Sequence, residues 1–161
     1  MYTAYKNAIE TLIKTNLNAI KTVDWYNQQY ENYEDEKAIN FPACYIEFED
    51  PIDWQSLASG VQQATNAKIR LHLVSFDIAD SPEPAMELTT ELHKVIHTKR
   101  LMDGSDQLST ELMRTQSELI TRYDQLKVTI LSYQTTLIDC SAVKATTTVT
   151  ASLVVETTIK T

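Results

Sequence analysis

The sequence predicts an α+β fold: an antiparallel four-stranded sheet with two helices packed on one face, plus a C-terminal strand-like extension. Three observations lead there. Apolar residues recur at helical spacing in two stretches, four others read as strands, two of them by clear apolar and polar alternation, and the six run in the order helix, strand, strand, helix, strand, strand. No internal repeat and no Gly/Ser-rich linker interrupts the series.

From Met1 to Thr22 the stripe Tyr2, Tyr5, Ile9, Leu12, Ile13, Leu17 and Ile20 recurs at helical intervals, with Lys6, Glu10, Lys14 and Lys21 largely off it, which predicts an amphipathic helix with one buried face. Between Val23 and Asn40 the period is lost, and Trp25, Tyr26, Tyr30 and Tyr33 alternate with amides and acids, as in a long, partly ordered connection. Pro42 introduces a strand from Ala43 to Glu49 with Cys44, Ile46 and Phe48 on one face and Tyr45, Glu47 and Glu49 on the other; Pro51 stops it. After a turn holding Trp54 and Gly60, a second strand runs from about Gln62 to Ile78. Ala67, Ile69, Leu71 and Leu73 point to a core, and Lys68, Arg70 and His72 point to water or a partner.

Ser81, Pro82, Glu83 and Pro84 read as a helix start, because a Ser hydroxyl caps free amides and Pro is tolerated in the first turn. Ala85, Leu88, Leu92, Val95 and Ile96 form the stripe, Lys99 and Arg100 suit the negative C-terminal end, and Gly104 is expected to break the helix. Strands Arg114 to Arg122 and Leu126 to Ile138 follow, separated by Tyr123, Asp124 and Gln125. The second places Val128 and Ile130 on one face and Leu131, Tyr133 and Leu137 on the other. Residues 145–161 are Thr- and Val-rich and alternate at Val149, Ala151, Leu153, Val155 and Ile159; they read as an edge strand of the same sheet or an arm adding to a neighbour's.

Composition narrows the function. Hydrophobic residues make up 43% of 161 and charged residues 22%, enough for one domain with its own core. A net charge of -8 disfavours a surface that recruits nucleic acid or anionic lipid. Cys44 and Cys140 have no metal-type spacing and are expected to be buried, reduced and inert, in a soluble, unexported product. No run reaches the roughly 18 apolar residues of a membrane span. Only Gly60 and Gly104 are present, which leaves no phosphate-cradling loop or dinucleotide fingerprint. Glu47 and Glu49 share a strand face, but nothing marks a cleft around them. His93 and His97, four apart on the second predicted helix, have metal-ligand spacing; Lys94 stands where a metalloprotease helix needs Glu, and two boundary histidines are the plainer reading. No catalytic residue, metal site or cofactor is expected.

The acidic excess is local. Nine acids and one base (Lys37) lie between Asp24 and Asp53, and the rest of the chain is balanced. A solvated acidic loop accounts for this; so does a surface that pairs with a basic partner, or one past which polyanionic DNA slides without sticking.

FPACYIEFEDPIDWQSLASGVQQATNAKIRLHLV (Phe41 to Val74), then a helix, then YDQLKVTILSYQTTLID (Tyr123 to Asp139), together resemble the tail terminator, or tail-completion, proteins of tailed bacteriophages and prophages. The resemblance rests on a Pro-led strand, a Trp-containing turn, an alternating strand and an Asp-Gln-Leu-x-Val start to the last strand. It covers residues 1–139 as the domain and leaves 140–161 as an extension, with an inter-subunit arm as one role for it. The connection from Trp25 to Asn40 and the residues from Ala145 onward match no pattern of the family.

The resemblance implies a non-enzymatic subunit of a homohexameric ring at the head-proximal end of the tail. Such a ring caps the tail tube, joins it to head-tail connector or neck proteins and lets double-stranded DNA pass. The product would be a virion protein assembled in the bacterial host cytoplasm. A ring needs one patch of each copy to meet a different patch of the next. Lys68, Arg70 and His72, set against Glu47, Glu49, Asp50 and Asp53 elsewhere on the domain, are candidates for that ring or tube interface, and Glu31, Glu34, Asp35 and Glu36 for an acidic lumen. A protein-binding module using its sheet face or arm, and a small metal-dependent enzyme using His93 and His97, are the alternatives from other classes.

Overall fold

In the computed structural model of the chain, which describes residues 2–31, 39–57, 60–76, 83–120 and 125–143, the first apolar stripe folds as helix α1 (Tyr2–Asn16) and buries Tyr5, Ala8, Ile9 and Ile13. It stops six residues before the expected end at Thr22. Asn16 Nδ2 donates to Leu12 O at 2.8 Å, a local bond of the kind that competes with helix continuation. Leu17 and buried Ile20 extend the apolar contact from the turn that follows.

The expected four-stranded antiparallel sheet is a six-stranded mixed sheet. Its strands are β1 (Thr22–Trp25), β2 (Ala43–Phe48), β3 (Gln55–Ser56), β4 (Gln62–Phe76), β7 (Met113–Ile120) and β8 (Leu126–Asp139); β5 (Met102–Asp103) and β6 (Asp106–Gln107) form a separate small hairpin. The sheet order is β1-β2-β4-β8-β7, with β3 paired to one end of β4. β1 runs parallel to β2 (Val23↔Cys44, Trp25↔Ile46), and the remaining pairs are antiparallel. Parallel neighbours require a crossover, and the aromatic connection provides it by carrying the chain from the end of β1 back to the start of β2.

Helix α2 (Glu83–Ile96) buries Ala85, Leu92 and Ile96, with Leu88 and Val95 partly buried beside them. Ser81 and Pro82, the expected start, lie outside the described residues, as do Tyr123, Asp124 and 145–161. Gly104 does not break this helix. The left-handed residue after its end is Thr98 (φ 62°), whose N–H bonds Leu112 O at 2.9 Å. Gly104 (φ 60°) instead forms the tight turn between β5 and β6.

Both helices pack against each other and on one sheet face, as expected. Tyr5, Ile9, Ile13, Leu92 and Ile96 join Cys44, Ile46, Ile69, Leu71, Leu73, Leu131 and Tyr133 in one apolar cluster. Tyr5 also ties α1 to β8 through its hydroxyl, which donates to Ile138 O at 2.9 Å. Cys44 sits in this core, where burial lifts its thiol pKa to about 12 and makes it inert at neutral pH. Cys140, expected to be buried, is exposed just past the end of β8, and both cysteines are free. On the opposite face a second cluster gathers Tyr30, Ala43, Tyr45, Val74, Leu126 and Val128, with Tyr26, Ile39 and Phe41 packed against it. The aromatic connection therefore roofs one end of the second face.

Candidate assembly surface

The other end of that face carries the charged residues singled out from the sequence. The β2–β4 register places Glu47 opposite Arg70 and Tyr45 opposite His72, and Glu49 N–H donates to Lys68 O at 3.0 Å just beyond the ladder. Period-2 alternation then puts Glu47, Glu49, Lys68, Arg70 and His72 on one surface. Arg70 bridges two carboxylates, with Nη1 3.6 Å from Glu47 Oε2 and Nη2 3.3 Å from Glu49 Oε2. Lys68 Nζ lies 3.3 Å from Glu49 Oε1. Glu47 and Glu49 are thus neighbours of Lys68 and Arg70 within one chain, not a separate patch. Side-chain exposures of 50% for Lys68 and 40% for Arg70 keep these pairs in solvent, where each stabilises the fold by about 0–1 kcal/mol.

His72 departs from the outward position expected of it. It is 3% exposed, under the aromatic roof. The Tyr26 ring stacks on the imidazole with centroids 4.1 Å apart and planes 11° from parallel. Nδ1 lies 2.8 Å from Tyr30 Oη and Nε2 lies 2.9 Å from Glu47 Oε2. A carboxylate only accepts, so Nε2–H donates to Glu47 and the Tyr30 hydroxyl donates to Nδ1; the neutral tautomer satisfies both partners. Burial pushes the His72 pKa down; Glu47 opposes that shift and Arg70 adds to it. Tyr26 donates its hydroxyl to Glu31, and burial, that bond and Tyr30 raise its pKa. Glu31, an expected lumen residue, is therefore exposed at the rim of the roof. Glu34, Asp35 and Glu36 lie outside the described residues. Asp50 and Asp53 are exposed in the loop after β2.

Tyr26, Tyr30 and Tyr45 are the residues of this surface that sequence reasoning passes over. Their signal is present as the aromatic and polar alternation of the connection, but nothing in it specifies which face they cover.

His93 and His97 are neighbours, with ring centroids 4.6 Å apart. His93 Nδ1 lies 3.3 Å from Tyr133 Oη, and the Arg114 backbone N–H donates to His97 Nδ1 at 3.3 Å. Burial, Arg114 and His97 lower the His93 pKa. Among the described residues no third His, Cys, Asp or Glu joins them in a metal-binding group, and no helix is long and apolar enough to cross a membrane.

Fold and surface together define an α+β domain with a helix-covered sheet face and a second face divided between an aromatic roof and a charge-paired ladder. The fold is similar to that of a chain in the virion of a native gene transfer agent (GTA) particle, with a TM-score of 0.54 at 8% identity, covering 86% of this chain and 97% of that one. At that identity the likeness is one of fold. No protein-family model and no curated protein matches the chain.

Proposed function

We propose that the chain is a structural virion protein: a subunit of a homohexameric ring at the head-proximal end of a phage-type tail, capping the tail tube and joining it to the head connector or neck proteins. The fold shared with a chain of a gene transfer agent virion, over nearly the full length of that chain, carries the reading. The ordered motifs between Phe41 and Asp139 that resemble tail terminators support the finer placement. The chemistry agrees with a role by assembly. The ladder on the open face is held by ion pairs, and His72 is committed to Tyr30 and Glu47. The local acidic excess between Asp24 and Asp53 suits a passage that repels the DNA phosphate backbone, so that double-stranded DNA moves through without being bound.

In this reading the protein acts in the virion, built in the host cytoplasm, with other copies of itself, the tail tube and the neck as its partners. Electron microscopy of the concentrated chain tests it. Closed rings with a central opening are expected; a field of single particles without rings, at every concentration tried, would overturn it.

A further inference from the structure

β7 ends the sheet order, and its outer edge has no partner strand among the described residues. It is long for an edge, at eight residues, and seven of its side chains are exposed, including Met113 at 48% and Leu119 at 54%. It carries neither Pro nor Lys; Arg114, its backbone bond to His97 and the bulge before Gln116 guard the start of the edge, and from Gln116 to Ile120 Glu118 is the one charge. The sequence supplies a strand-like segment with no place in the described sheet: residues 145–161, without Gly or Pro, alternating at Val149, Ala151, Leu153 and Val155.

The exit of the chain from β8 decides whose edge that segment reaches. On the β7 side the end of β8 is already occupied, because Ile138 N–H donates to Leu108 O and Ser109 bridges Leu137. On the β4 side Asp139 pairs with Gln62. The chain then turns, Val143 N–H bonding Cys140 O at 3.0 Å, and brings Ala142 O so close over Gly60 that a Cβ there would meet it at 2.7 Å. Gly60 precedes β4, so the chain leaves on the side of β8 away from β7. Donor and acceptor on opposite sides of one subunit make a heterologous, head-to-tail contact, the kind that closes a ring. The 18 residues beyond Val143 span up to about 60 Å when extended, enough to reach a neighbour.

We infer that residues 145–161 of one copy add as a strand to the free β7 edge of the next copy. The inference deepens the ring reading and rests on it for closure. Main-chain hydrogen bonds supply the attachment, and the Thr and Val side chains suit a strand with one face in water.

The test uses the 161-residue chain with Cys140→Ser, Cys44 being buried and unreactive. One preparation carries Leu119→Cys, and others carry Thr150→Cys, Ala151→Cys, Ser152→Cys or Leu153→Cys. Mixing and mild oxidation should give a disulfide-linked pair of unlike chains at alternate arm positions, lost on reduction. A further preparation carries Leu119→Cys and an arm cysteine on the same chain; disulfides that form within that chain, with none between unlike chains, would place the arm on its own β7 and overturn the inference. Rings that form with no cross-link at any position would also overturn it while leaving the ring reading in place; absence of both rings and cross-links would remove the two together.

Discussion

His72 Nε2 lies 2.9 Å from Glu47 Oε2 across the β2–β4 pair, beneath the stacked ring of Tyr26. The contact joins the exposed charge ladder to the aromatic roof, and it leaves the other ring nitrogen to accept from the Tyr30 hydroxyl, a bond that protonation of that nitrogen would remove.

Acidification should therefore loosen the roof. The folded-state pKa of His72 lies below its unfolded value, so the unfolded chain takes up the proton first. The stability contributed by the neutral form is complete above the unfolded value of about 6.5 and is lost as pH falls from there towards the folded pKa. Thermal melts between pH 7.5 and 5 should show Tm falling, and His72→Gln should flatten the decline. His93, shifted in the same direction, is controlled by His93→Gln; an unchanged slope in His72→Gln would assign the loss elsewhere.

Arg70→Glu would set a third acid against Glu47 and Glu49. Because the lost pairs are exposed, the fold should lose only about 1–2 kcal/mol. If this face meets the next copy or the tube, the variant should stay folded by circular dichroism and lose its ring mass. An unchanged ring would remove the ladder from the interface.

Gly60→Ala should be costly although the residue is exposed. The position has φ 84° and no room for a Cβ beneath Ala142 O. A loss of about 1–3 kcal/mol is expected from the strained backbone, measured by urea unfolding. The turn at 140–143 would have to move, so oligomer formation should weaken along with it.

His97→Ala should leave assembly intact, and added Zn²⁺ should not raise Tm by more than about 1 °C, because binding to the folded state would stabilise it by mass action. A concentration-dependent rise in Tm abolished by His97→Ala would revive the metal reading.

Part of the fold is legible in the sequence because both helices and strand β4 have apolar patterns that mark an inward face. Ile9 and Ile13, Leu92 and Ile96, and the alternation of Ile69, Leu71 and Leu73 each identify both an element and its inward face. β1 is not legible: its four residues offer only Val23 as a fully buried inward side chain, and its parallel pairing depends on a partner some twenty residues away. The strands β3, β5 and β6 have two residues each, too few for any period. For the surface, alternation correctly groups Lys68, Arg70 and His72, but the register Glu47↔Arg70 comes from long-range pairing. The burial of His72 escapes the sequence because period 2 tells which face a residue is on, and the roof that covers it comes from Tyr26 and Tyr30, more than forty residues earlier.

The most direct measurement is the mass of the 161-residue chain in solution, by light scattering coupled to size exclusion, across a wide range of concentration. The ring reading predicts a closed species of six times the 18.3 kDa chain mass. A monomer that persists to the highest concentration reached would contradict it.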